Sequence, residues 1–80
     1  MEIQETIHAY LLTEFGGDRD GFEPGENLLA QGVIDSMGIL KLVSFLEETF
    51  GIETDDDDMV PENFESLAAL CAFVERRRSE

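Results

Sequence analysis

The chain reads as an all-α protein: a small antiparallel four-helix bundle of three longer helices and one short one. Three observations predict it. Apolar residues recur at helical spacing in three stretches, Ile3 to Phe15, Ile39 to Phe50 and Leu67 to Val74. Glycine or proline punctuates the intervals, at Gly16-Gly17, Gly51 and Pro61. Alternating strand patterning is absent beyond short apolar runs such as Gly51-Ile52. Stripes of this kind are buried only against one another, and the economical arrangement is a bundle.

The first helix is expected from about residue 2 to 15, carrying Ile3, Ile7, Tyr10, Leu11 and Phe15 and stopping at Gly16-Gly17. A long connection follows, Asp18 to Ile34, broken by Gly21, Pro24, Gly25 and Gly32. Loops of this length in small domains are usually functional or held by their own side chains; Phe22, Leu28, Leu29, Val33 and Ile34 can hold this one. The second helix spans about Ser36 to Phe50 and ends at Gly51, the favoured residue just past a helix C-terminus. Its core stripe is Ile39, Leu42, Val43, Leu46 and Phe50, with Phe45 at the margin. A second loop contains the run Asp55-Asp56-Asp57-Asp58, which reads as a solvated acidic segment. Pro61 suits the first position of a short helical turn, Pro61-Glu62-Asn63-Phe64. Ser66 then caps a last helix with apolar positions at Leu67, Leu70, Cys71, Phe73 and Val74.

The 80 residues are expected to form one domain, 1–80, with no internal repeat or linker. A chain of this size buries roughly 60% of its unfolded surface, too little for both a scaffold and a deep catalytic cleft. The net charge is −14, and the imbalance is steeper still in the body of the chain: Met1 to Glu75 holds 18 acids against Arg19 and Lys41, a net of −16. Such a surface repels nucleic-acid phosphates and anionic membranes and is steered towards basic patches on other proteins. Cys71 is the single cysteine, so no intramolecular disulfide forms. No apolar run reaches membrane-spanning length, and the first residues lack a signal peptide's basic start and apolar centre. The expectation is a cytoplasmic monomer.

Ser36 stands out because it opens the middle helix after the apolar loop Gly32-Val33-Ile34. Asp35 or Ser36 can cap the helix, since either side chain accepts a hydrogen bond from a first-turn amide. A hydrolase elbow needs glycine two residues before and after the serine; Gly38 satisfies this and Ile34 does not. The sole histidine, His8, falls near the polar side of the first helix and is expected to be exposed. Nothing nearby activates the hydroxyl, so Ser36 reads as an attachment point rather than a nucleophile. The segment Gly16-Gly17-Asp18-Arg19-Asp20-Gly21 hints at a calcium loop, but Gly16 and Asn27 fall where its first and twelfth ligands are required. No metal site is expected. Arg76 to Arg78 suit a helix C-terminus.

The stretch Glu26-Asn27-Leu28-Leu29-Ala30-Gln31-Gly32-Val33-Ile34-Asp35-Ser36-Met37 resembles the Asp-Ser-Leu/Met region of the acyl carrier proteins. So does Phe45-Leu46-Glu47-Glu48-Thr49-Phe50-Gly51-Ile52 at the close of the second helix. The resemblance extends over nearly the whole chain, including the acidity, the helix order and the Pro-Glu-Asn-Phe turn. It implies that a phosphopantetheinyl transferase attaches 4′-phosphopantetheine from coenzyme A to Ser36, with Asp35 assisting at the helix start. It implies a carrier, not an enzyme, that holds acyl or aminoacyl groups as thioesters on a swinging arm, with downstream thioester-processing enzymes as partners. The second helix becomes the recognition surface: Met37 and Leu40 as exposed apolar contacts, Lys41 beside them, and Glu47 and Glu48 as charged guides. Three positions depart from the fatty-acid carriers: Gly38, where an acid is common; Lys41, where glutamate is common; and Ser44, where an apolar residue is frequent. These departures weaken the negative, apolar face that fatty-acid enzymes read. The form Ile34-Asp35-Ser36-Met37-Gly38-Ile39-Leu40, with Val60-Pro61-Glu62-Asn63-Phe64 later, resembles stand-alone carriers of specialised pathways, in which an AMP-forming ligase often loads the cargo. Gly38 also costs about 1 kcal/mol of helix propensity against alanine. The alternatives are a housekeeping fatty-acid carrier and, from another class, an unmodified acidic adaptor.

Overall fold

The computed structural model describes residues 2–78, so Met1, Ser79 and Glu80 of the expected 1–80 domain lie outside the described residues. Four α-helices appear in the predicted order: α1 (Ile3–Phe15), α2 (Ser36–Phe50), α3 (Pro61–Phe64) and α4 (Leu67–Arg78). A 3-10 turn, Asp56–Asp58, is added between α2 and α3. No strand occurs among the described residues.

The helix ends follow local chemistry. Glu2 caps α1 by accepting the Gln4 amide at 3.0 Å. At the other end Gly16 stays right-handed and returns its amide to the Leu12 carbonyl, and the left-handed turn falls one residue later, at Gly17 (φ 56°). Gly51 closes α2 at φ 67°, a conformation in which a Cβ is strained. Ser66 Oγ accepts the Ala69 amide at 3.1 Å at the start of α4.

Helix α4 packs against each of the other three helices. Its Leu67, Leu70, Phe73 and Val74 are buried together with Ile7 and Leu11 of α1, Leu42 and Leu46 of α2 and Phe64 of α3. The Phe64 and Phe73 rings tilt against each other at 5.5 Å. Within the stripe expected for α2, Leu42 and Leu46 are fully enclosed, whereas Ile39, Val43 and Phe50 are half-buried at its edges. Cys71, expected in the core, is also half-buried, because α4 turns that edge outward.

The 18–34 connection is held to the bundle as its apolar residues predict: Phe22, Leu28 and Ile34 are buried in the core. Backbone bonds add to this, from the Leu28 amide to the Glu65 carbonyl at 2.7 Å and from the Ala68 amide to the Pro24 carbonyl at 2.9 Å. Arg19 spans the loop, 2.5 Å from Glu26 and with its guanidinium 4.3 Å from the Phe22 ring centre. Two expectations are corrected here. His8 is half-buried, and its Nε2 accepts the Phe22 amide at 2.9 Å, so it fastens the loop to α1. The acidic run is not simply solvated: Asp55 and Asp58 cap the 3-10 turn, and Arg77 bridges both, at 3.1 Å and 2.9 Å.

Candidate functional site

Asp35, in extended conformation, is the N-cap of α2: its Oδ1 accepts the Gly38 amide at 2.8 Å and its carbonyl accepts the Ile39 amide at 2.9 Å. Sequence left open whether Asp35 or Ser36 caps the helix, and the structure assigns the cap to Asp35. Ser36 is therefore the first helical residue. It is exposed, and no described residue hydrogen-bonds its hydroxyl. The preceding Ile34 is buried to 2% exposure, so the chain is anchored immediately before the serine emerges. Amides of the first turn place the positive end of the helix dipole beside this hydroxyl, a location that favours an attached anion such as a phosphate.

Along the outward face of α2 the predicted contact residues behave differently from one another. Met37 and Leu40 are 67% and 56% exposed, a large apolar surface to leave in water. Lys41, Ser44 and Glu48 are exposed beside them. Glu47 departs from the expectation of a free charged guide: it is half-buried, and its Oε2 accepts the Thr54 amide at 3.0 Å. That bond ties the segment after Gly51 back to α2. Met59, 37% exposed, is a further apolar surface residue that the sequence reading did not single out. Its position in a polar loop ahead of Val60-Pro61 was the available signal.

The remaining reactive side chains are committed elsewhere. His8, on α1, is engaged with the loop residue Phe22. Burial, with Glu75 and Glu2 adding to it, pushes the Cys71 thiol up, which disfavours its thiolate. In the segment that hints at a calcium loop, Arg19 is drawn to Glu26 and to the Gly21 carbonyl. Among the described residues no group of three or more His, Cys, Asp or Glu is arranged to hold a metal ion. No helix among them is long and apolar enough to cross a membrane.

The sequence profile of the phosphopantetheine attachment site family matches residues 5–74. An acyl carrier protein of Nitratidesulfovibrio vulgaris (strain Miyazaki F) is 31% identical over 58 residues, 72% of this chain and 76% of that protein. The probable acyl carrier protein PigG of a Serratia species is 27% identical over 78 residues, 96% of this chain and 90% of that protein. A solution structure of a holo acyl carrier protein from Nitrosomonas europaea superimposes with a TM-score of 0.77 at 28% identity, covering 100% of both chains.

Proposed function

The chain belongs to the phosphopantetheine attachment site family, that of the acyl carrier proteins, and on this premise we propose that Ser36 is the residue that bears the prosthetic group. The protein is a carrier and not a catalyst, and its cofactor is 4′-phosphopantetheine, which supplies a thiol at the end of a long flexible arm for holding cargo. Its partners are a phosphopantetheinyl transferase and biosynthetic enzymes.

One observation carries the assignment to Ser36: the hydroxyl opens α2 in solvent while Asp35 alone supplies the cap. A phosphate on Ser36 Oγ breaks no existing hydrogen bond, meets the unpaired first-turn amides, and has room outside the bundle. Asp35 keeps the first turn formed. Met37 and Leu40 give a partner an apolar footing, Lys41 and Glu48 flank it, and the acidic body steers the approach of basic surfaces. Linking the thiol to a small diffusing domain raises its effective concentration at each partner that docks. Residues 1–80 act as one monomeric carrier domain in the cytoplasm, with neither nucleic acid nor membrane as partner.

Lys41 and Ser44, both exposed, leave the outward face of α2 less acidic and less apolar than the face expected of fatty-acid carriers, whereas Gly38 is buried and adds nothing to that face. We therefore read the cargo as an acyl or aminoacyl group of a specialised pathway, loaded by an AMP-forming ligase. The housekeeping alternative rests on the 31% identical Nitratidesulfovibrio relative. Loading assays with candidate ligases and with fatty-acid synthase enzymes separate the two.

The attachment is tested by incubating the protein with coenzyme A and a broad-specificity phosphopantetheinyl transferase and weighing it intact. One phosphopantetheine mass is gained, and none in Ser36→Ala. A wild type that gains nothing, or a Ser36→Ala variant that still gains it, overturns the assignment.

A further inference from the structure

At Gly38 the second helix all but touches the first. Gly38 is buried, its amide is held by Asp35, and a Cβ built on it meets Phe15 Cε1 at 2.9 Å, Ile34 Cγ2 at 3.2 Å and Phe15 Cζ at 3.3 Å. The Phe15 ring, at the last residue of α1, thus occupies the volume that any side chain at position 38 requires. That ring is itself braced. Its edge meets Tyr10 at 6.2 Å and 76°, and Tyr10 lies flat on Phe45 of α2 at 3.9 Å and 12°. Phe45 meets Phe50 edge-on at 6.4 Å, and the Tyr10 hydroxyl donates to the Lys41 carbonyl at 3.3 Å. These contacts run along α2 from its first turn to its last, so Phe15 yields to a new side chain only by giving up its place against Tyr10.

Resting on the assignment of Ser36, we propose that Gly38 and Phe15 are a positioning pair. The glycine lets the first turn of α2 seat directly on the Phe15 ring, and this seat sets the direction in which the Ser36 hydroxyl, two residues away, is presented to the modifying enzyme. Asp35 transmits the position, because its carboxylate holds Gly38, the residue at the seat, and its carbonyl holds Ile39, the residue after it. The recessive feature of position 38, a missing side chain in mid-face, is therefore a device for orienting the serine. A misplacement of about 1 Å costs a group-transfer rate on the order of a hundredfold.

A size-swap cycle tests the pair. Wild type, Gly38→Ala, Phe15→Leu and the double variant are presented to a broad-specificity phosphopantetheinyl transferase at saturating coenzyme A, with intact mass as the readout. Gly38→Ala lowers kcat/KM roughly tenfold, with the loss in kcat, and Phe15→Leu lowers it about threefold. The double variant, in which the smaller leucine makes room for the new methyl, returns to within about twofold of wild type. Thermal melts accompany every assay, and the rate loss in Gly38→Ala is not reproduced by wild type warmed to an equal distance below its Tm. A Gly38→Ala variant modified at the wild-type rate overturns the pairing, as does a double variant no better than Gly38→Ala. If Gly38→Ala does not fold, Phe15→Leu and its recovery in the double variant decide the matter. If wild type gains no mass, it is the assignment of Ser36 that fails. The seat is then read from the NMR amide shifts of Ser36 and Met37, which move in Gly38→Ala and return in the double variant; unchanged shifts sink it.

Discussion

Asp35 and Ser36 are both able to cap a helix, and the division of labour between them decides what the serine can do. With Asp35 accepting the Gly38 amide, Ser36 keeps its hydroxyl in solvent at the positive end of α2. Glu26 shows the same rule in an opposite setting, an acid wholly used by structure. The Arg19 guanidinium, followed by the Glu23 amide, holds its carboxyl below the ordinary value of 4.5. A carboxylate depressed in the folded state stabilises the protein fully above its unfolded pKa, and that contribution fades as pH falls through the folded value. Glu26→Gln is therefore expected to be less stable than wild type at neutral pH and to lose the difference in acid. Urea melts at neutral pH and below the carboxylate range check this; a gap that persists in acid contradicts it. The Asp35-Ser36 pair was legible from sequence as a helix start. Which of the two does the capping was not, because both residue types suit a cap and only the placement of the Asp35 carboxylate on the Gly38 amide distinguishes them.

At the scale of elements, α4 does most to hold the fold together, since it packs on every other helix and also reaches the loop before α3. Arg77, with its side chain 17% exposed, donates to Asp55, Asp58 and the Glu53 carbonyl. It joins the end of the last helix to an acidic segment that would otherwise repel itself. Arg77→Ala is expected to cost about 1–3 kcal/mol, within the range for charge-assisted hydrogen bonds at a partly enclosed site. Chemical denaturation measures it, with Arg78→Ala as the exposed comparison. Equal stabilities for the two variants contradict the bridge. Helix ends were readable because their signals are local: a cap at Asp35 or Ser36, glycine at 51, proline at 61 and the cap at Ser66 all lie within a turn of the ends they set. The Arg77 bridge and the His8–Phe22 bond were not readable, since the first joins residues 19 or more positions apart and the second residues 14 apart, and no period in the sequence links them.

For the whole molecule the governing quantity is a net charge of −14 on 80 residues. Self-repulsion on this scale opposes the compact state and weakens as salt screens it. The melting temperature is therefore expected to rise with added sodium chloride, even though screening also loosens the Arg77 bridge. In a domain this small each 1 kcal/mol recovered moves Tm by roughly 4–8 °C. Calorimetry across ionic strengths checks it, and a Tm that is flat or falling with salt contradicts it. Should a partner present a basic surface, the same charge speeds the encounter and makes it salt-sensitive. By itself the sequence determined the helices, their ends, the acidic field and the serine that opens α2, because periodicity, capping and charge are properties of near neighbours along the chain. Only the tertiary structure decided that Asp35 rather than Ser36 closes the cap, that Glu47 and His8 fasten loops instead of facing water, and that Gly38 receives the Phe15 ring. The cap turns on the placement of one carboxylate over the Gly38 amide; the others depend on which residues from separate segments occupy the same few ångströms, a relation created by packing.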